Sequence, residues 1–156
     1  MLFFVSFNNH IVSQNENVKA VFIYNFTKYI SWPQSESSGD FIVGVLGSPA
    51  MESSLNALAA KKKVGTRDIK VLNFNSFDAI QNAIYFLLEM QKKPIPDALN
   101  KVSLLPVVVV TDSPGSIEKG SGINFVEVGG KQKFEITPSK ITDKLRPKDS
   151  TFYRYS

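Results

Sequence analysis

Two loops hold the residues whose types and spacing could do chemistry. The first, Thr111-Asp112-Ser113-Pro114-Gly115, sets two hydroxyls around a carboxylate directly after the apolar run Leu104 to Thr111, LLPVVVVT. Ligands in open α/β sheets bind beyond the carboxyl ends of the strands, so Asp112, Ser113 and Gly115 are candidate binding residues. The same residues are good turn chemistry, with Asp112 or Ser113 capping and Pro-Gly making the bend. The second loop is Gly44-Val45-Leu46-Gly47-Ser48-Pro49, where Gly47 and Ser48 could present backbone N–H groups to an anion at a helix start. It lacks the third glycine of a dinucleotide fingerprint and the Gly-Lys-Ser/Thr of a P-loop, so a tight strand-to-helix turn is its ordinary reading. Further candidates are Trp32 at the end of the first helix, and Phe125 and Glu135 in a hairpin whose alternation puts Phe134 and Ile136 on one face and Glu135 on the other.

Other chemistry is excluded by composition. The chain has no cysteine and a single histidine, His10, within a short apolar leader. Without a second His or any Cys there is no Cys-His pair, no zinc-thiolate site and no Ser-His-Asp triad outside that leader. Asp40, Glu52, Asp68, Asp78 and Asp97 fall at loops and helix starts, where capping is the ordinary role of a carboxylate. No catalytic residue, metal site or cofactor is assigned.

The elements that must position these loops begin with Val18 to Pro33, VKAVFIYNFTKYISWP, apolar nearly all round and read as a core helix. Asn15 or Asn17 would cap it, and Trp32-Pro33 would stop it. Tyr24, Asn25, Lys28 and Trp32 are its residues free to face a partner. Phe41 to Leu46, Ile69 to Phe74, Ala83 to Leu88 and Leu104 to Thr111 read as strands. Four consecutive valines in the last require cover on both faces. Helices are predicted after Ser48-Pro49, with Met51, Leu55, Leu58 and Ala59 as the buried stripe, at Phe77 to Gln81, at Pro94 to Val102, and from Thr137-Pro138 to a stop at Pro147. Ile123 to Val128 and Lys131 to Ile136 form a β-hairpin around Gly129-Gly130. Alternating strands and helices predict an α/β fold, a three-layer Rossmann-like mainly parallel sheet flanked by helices and ending in an antiparallel β-hairpin.

The 156 residues suit one domain, and 43% apolar with 21% charged residues suits a globular one. The net charge of +4 resides in the segment from Lys131 onward. With no aromatic-interleaved basic stripe, that segment does not predict nucleic-acid binding. Residues 1–13, MLFFVSFNNHIVS, read as a clipped signal peptide that lacks the positive n-region, residues 14–143 as the domain, and residues 144–156 as an atypical basic tail.

Five motifs in order resemble the YfiR-like family of small bacterial periplasmic regulators: VKAVFIYNFTKYISWP, FIVGVLGSP (Phe41 to Pro49), KKVGTRDIKV (Lys62 to Val71), VVVVTDSPG (Val107 to Gly115) and GINFVEVGGKQKFEI (Gly122 to Ile136). The resemblance covers roughly residues 18–143 and departs after Lys144, where LRPKDSTFYRYS stands in place of a Leu- and Ser-rich amphipathic helix. It implies a non-catalytic periplasmic repressor of a membrane-bound diguanylate cyclase or sensor kinase, lowering cyclic-di-GMP output and biofilm formation. It also implies sequestration by an outer-membrane lipoprotein and a homodimer. The alternative from the residues themselves is a periplasmic module binding a small apolar or nucleotide-like ligand at the two loops.

Overall fold

No glycine or proline interrupts residues 8–29. In the computed structural model, which describes residues 8–32, 39–76, 86–89, 107–142 and 146–147, a single helix, α1 (Asn8–Tyr29), occupies that whole span. It therefore starts ten residues before Val18. Asn15 and Asn17 lie within it, because an asparagine caps a helix only where the preceding backbone leaves helical geometry. At its other end the chain turns into β1 (Ile30–Ser31), which pairs antiparallel with β9 (Arg146–Pro147). Pro147 thus sits in a strand opposite Ile30 and does not terminate the last helix, which ends at Thr142.

The apolar runs become strands in the expected places. β2 (Phe41–Leu46) leads through the Gly47-Ser48 turn into α2 (Pro49–Ala59), and the chain returns through β3 (Lys63–Val64) and β4 (Arg67–Phe74). β5 (Phe86–Glu89) and β6 (Val108–Thr111) follow, then the hairpin of β7 (Ile123–Val128) and β8 (Lys131–Ile136), and the short α3 (Pro138–Thr142). The helices expected at Phe77 to Gln81 and Pro94 to Val102, and the start of the strand at Ala83, lie outside the described residues.

Seven strands form one mixed sheet in the order β3-β4-β2-β5-β6-β7-β8. Neighbours β4/β2, β2/β5, β5/β6 and β6/β7 are parallel, while β3/β4 and β7/β8 are antiparallel. At the hairpin, Gly129 and Gly130 have φ of +58° and +72°, the left-handed pair that a two-residue turn between twisted strands requires. Gly122 is under no such requirement. Its N–H donates to the Val109 carbonyl (3.1 Å), and a Cβ there would lie 3.5 Å from that same oxygen.

The core sits between α1 and the sheet. Ala20, Ile23 and Phe26 of α1 and Ile30 of β1 pack with Phe41, Val43, Val45, Val108, Val110, Ile123, Phe125 and Phe134. Phe26 meets Phe134 edge-on at 4.9 Å, and Phe22 meets it at 5.4 Å. Each such side chain contributes about 1.5–3 kcal/mol by leaving water. Val107 to Thr111 are buried without exception, so both faces of β6 are covered, as the valine run requires. Among the described residues, α1 and α2 touch one another and therefore share one face of the sheet. Met51 and Leu55 anchor α2, while Leu58 and Ala59 are only half-buried.

α1 is not apolar to solvent on all sides, as its composition suggested. Its buried stripe is Glu16, Lys19, Ala20, Ile23, Phe26 and Thr27, continued by Ile30 of β1, and Val18 and Val21 are 43% and 51% exposed.

Candidate functional site

Parallel strands carry their carboxyl ends to one edge of the sheet, and there the described polar side chains concentrate. β6 ends at Thr111, whose hydroxyl is buried within reach of Ser121 Oγ (2.9 Å) and Asn124 Oδ1 (2.8 Å). Ser121 Oγ donates to the Ile123 carbonyl (2.7 Å), and Asn124 Nδ2 donates to Glu135 Oε2 (3.1 Å). Thr111, Ser121 and Asn124 are almost wholly shielded from water, so their hydrogen bonds are obligatory for a stable fold. The connection after β6 is held by its own backbone. The Ser113 carbonyl accepts from the Ser116 hydroxyl (2.7 Å), and the Ser116 carbonyl accepts from the Ser121 N–H (3.0 Å). Gly115 takes the bend at φ +74°.

Onto this loop α1 delivers a cation. Lys19 Nζ donates to Asp112 Oδ2 and to Glu16 Oε1, each at 3.0 Å. The side chains of Lys19, Glu16 and Asp112 are 8%, 11% and 24% exposed. Burial by itself lowers the ammonium pKa, but the hydrogen bonds to Glu16 and Asp112 and the charges of both acids outweigh it. Lys19 is therefore held above the ordinary lysine value, and at neutral pH it is a charged linchpin with no lone pair to offer as a nucleophile. The second Glu16 oxygen, Oε2, is buried with no hydrogen-bond partner. Among the described residues, no cluster of three or more His, Cys, Asp or Glu side chains is arranged to hold a metal ion.

The structure brings Asp112, Ser113 and Gly115 together in one loop and joins Glu135 to the same strand end through Asn124. Gly47 and Ser48 follow β2 at the same edge of the sheet. Ser48 Oγ accepts from the Met51 N–H (3.2 Å), the N-cap bond expected of a turn residue. Gly47 is exposed at φ +76°. Trp32 lies at the opposite edge, against Phe41 at the start of β2 (5.1 Å, edge-on), with its indole N–H donating to the Thr27 carbonyl (3.4 Å). Phe125 is 3% exposed and packs on Phe22 and Phe26, so it supports the core and presents no surface.

Sequence reasoning missed Glu16, Lys19, Ser121 and Asn124. A signal for Lys19 was present: it precedes Ile23, Phe26 and Ile30 by four, seven and eleven residues, the spacing of a single buried stripe. A lysine there needs a buried anion, and Glu16 one turn earlier is the local one.

A second feature lies along the outer side of α1. Asn17, Val18, Val21, Phe22 and Asn25 line a shallow groove of about 310 Å³ whose floor, Phe22, continues into the aromatic core through Phe125 and Phe134. Asn25 Oδ1 accepts from Lys28 Nζ (3.3 Å), and that ammonium lies 4.7 Å from the centre of the Tyr24 ring. Lys62, beyond the end of α2, approaches the same ring at 6.0 Å.

Comparison with known proteins finds that a family model described as YfiR/HmsC-like matches residues 16–144. No curated protein matches the chain.

Proposed function

The chain belongs to the YfiR/HmsC-like family, and on that premise we propose that it is a periplasmic regulator acting by protein–protein contact. Its target is the periplasmic region of a membrane-bound diguanylate cyclase or sensor kinase, and its action lowers cyclic-di-GMP output and biofilm formation. The structural observation that carries the reading is the open apolar groove on α1, with Val18 and Val21 half-exposed beside a buried aromatic floor. Exposed apolar side chains gathered on one helix face are a recurring mark of a protein contact. No described helix is long and apolar enough to cross a membrane.

A regulator of this kind represses by binding the inactive state of its target more tightly than the active state. A tenfold shift between the two needs about 1.4 kcal/mol of differential affinity, within reach of a few well-packed side chains. The polar network at the β6 end serves this reading as a brace: Lys19 fixes α1 to the loop after β6, so the groove is presented on a rigid element. The proposal includes a homodimer, sequestration by an outer-membrane lipoprotein, and a three-layer Rossmann-like arrangement in which further segments cover the second face of the sheet. One observation favours a small-ligand module instead, the unpartnered Glu16 Oε2 beside Asp112.

The test is a pull-down from a membrane extract of the source bacterium with the whole chain as bait. Recovery of an inner-membrane cyclase or sensor kinase, lost with Val21→Glu while the fold is retained, supports the regulator. Recovery of no membrane protein by a folded bait supports the ligand module.

A further inference from the structure

The groove on α1 does not end in neutral surface. Asn25 lines it and also accepts the hydrogen bond of Lys28, so the apolar stretch runs directly into a basic one. Lys28 of α1 and Lys62 beyond the end of α2 both lie near the Tyr24 ring, and Lys61 adds a third exposed cation there. Both ammonium groups lie within reach of a cation–π attraction to that ring. Nothing acidic on α1 offsets this charge, because its one acid, Glu16, is buried against Lys19. The surface is polarised along the helix: valines near its middle, then an asparagine, then the cations.

Resting on the regulator reading above, we propose that this face of α1 receives an amphipathic helical segment of a foreign protein, with apolar side chains one turn apart and a carboxylate about two turns further on. The spacing follows from the helix rise. Val18–Val21 and Lys28 are separated by about 13 Å along the axis at 1.5 Å per residue, close to two and a half turns. An apolar groove beside α1 suits helix-in-groove docking, in which anchors spaced i and i+3 or i+4 enter the groove. The basic end then sets the direction in which the segment lies, since reversing it would bring its carboxylate to the valines and leave the ammonium groups unmatched.

Charge complementarity selects this occupant over the alternatives. A second copy docking through the same face offers Lys28 and Lys62 no free acid from α1. An anionic lipid surface would match the lysines, but it is flat, whereas the apolar part here is a shallow groove bordered by the polar side chains of Asn17 and Asn25.

The experiment places a photo-crosslinking amino acid at Val21 and, separately, at Asn25 in the full chain. Both variants are expressed in the source bacterium, and the crosslinked residues are identified by mass spectrometry. The expected result is crosslinks to one helical segment of a membrane protein bearing Asp or Glu within about two turns of the crosslinked position. Its yield should fall at least about tenfold on Lys28→Glu/Lys62→Glu, and not on Lys133→Glu in the hairpin. Crosslinks to a second copy of this chain, to lipid, or to a segment without an acidic residue overturn the proposal, as does a yield insensitive to the charge reversal. Cyclic-di-GMP is measured in the same cells with the gene deleted and restored. If deletion leaves the level unchanged, the regulator reading fails. If deletion raises the level and Val21→Glu restores it as well as the unaltered chain does, the regulator reading stands and this surface is wrong.

Discussion

Replacing Lys19 with methionine isolates what the buried ion network contributes. The substitution keeps length and apolar bulk but removes the cation that both Glu16 and Asp112 contact at 3.0 Å. Their contacting oxygens share one nitrogen and so lie at most about 6 Å apart. With an effective dielectric constant of 20, two carboxylates at that distance repel by about 3 kcal/mol. Loss of one partner from a buried pair costs about 3–5 kcal/mol in measured cases, which agrees. For a chain of this size that loss lowers the melting temperature by on the order of 10 °C. Urea unfolding followed by the fluorescence of Trp32, the lone tryptophan, measures it, because the indole packs on Phe41 and reports α1 leaving the sheet. Glu16→Gln in the Lys19→Met background should recover at least half of the deficit, because it removes one of the two facing charges. A penalty under about 1 kcal/mol at pH 7, or one indifferent to Glu16→Gln, refutes the brace.

Other consequences follow from the same contacts. Because Lys19 is held above the ordinary lysine value in the folded chain, its contribution is fully present at neutral pH and is lost as pH rises through the folded value; unfolding midpoints of the unaltered chain and of Lys19→Met should therefore converge only in the strongly alkaline range, above about pH 10. Ser48→Ala removes the N-cap of α2 and should cost about 1 kcal/mol in urea unfolding, without altering partner recovery in the pull-down. Phe134→Ala should cost about 3–5 kcal/mol, since the ring is 6% exposed and edge-on to both Phe22 and Phe26. Val21→Glu, at a half-exposed position, should change stability by less than about 0.5 kcal/mol, which circular dichroism melts will check.

Much of the fold was legible because local chemistry and tertiary context agree. β2 spans the residues its apolar run marked, Ser48-Pro49 caps and opens α2, and Gly129-Gly130 makes the hairpin. What was not legible depended on contacts distant in sequence. The face of α1 that meets the sheet could not be chosen by apolar count alone, since Val18, Val21 and Phe22 are as apolar as Ile23, Phe26 and Ile30. The ion pair that decides it joins Lys19 to Asp112 across 93 positions. Pro147 read as a helix stop because its antiparallel partner, Ile30, lies at the far end of the chain. In the candidate site, Asp112, Ser113 and Glu135 were visible as polar residues at strand ends. Asn124, wholly buried within β7, looked like one residue of a strand until the neighbouring hydroxyls were in place.

The central claim is that this chain restrains cyclic-di-GMP synthesis by contact at the membrane. The most direct measurement is the intracellular cyclic-di-GMP concentration in four strains of the source bacterium: unaltered, lacking this gene, lacking the recovered membrane cyclase, and lacking both. The account predicts a rise on loss of this gene that disappears when the cyclase is also absent. An unchanged level without this gene, or a rise that persists without any membrane-bound cyclase, would contradict it.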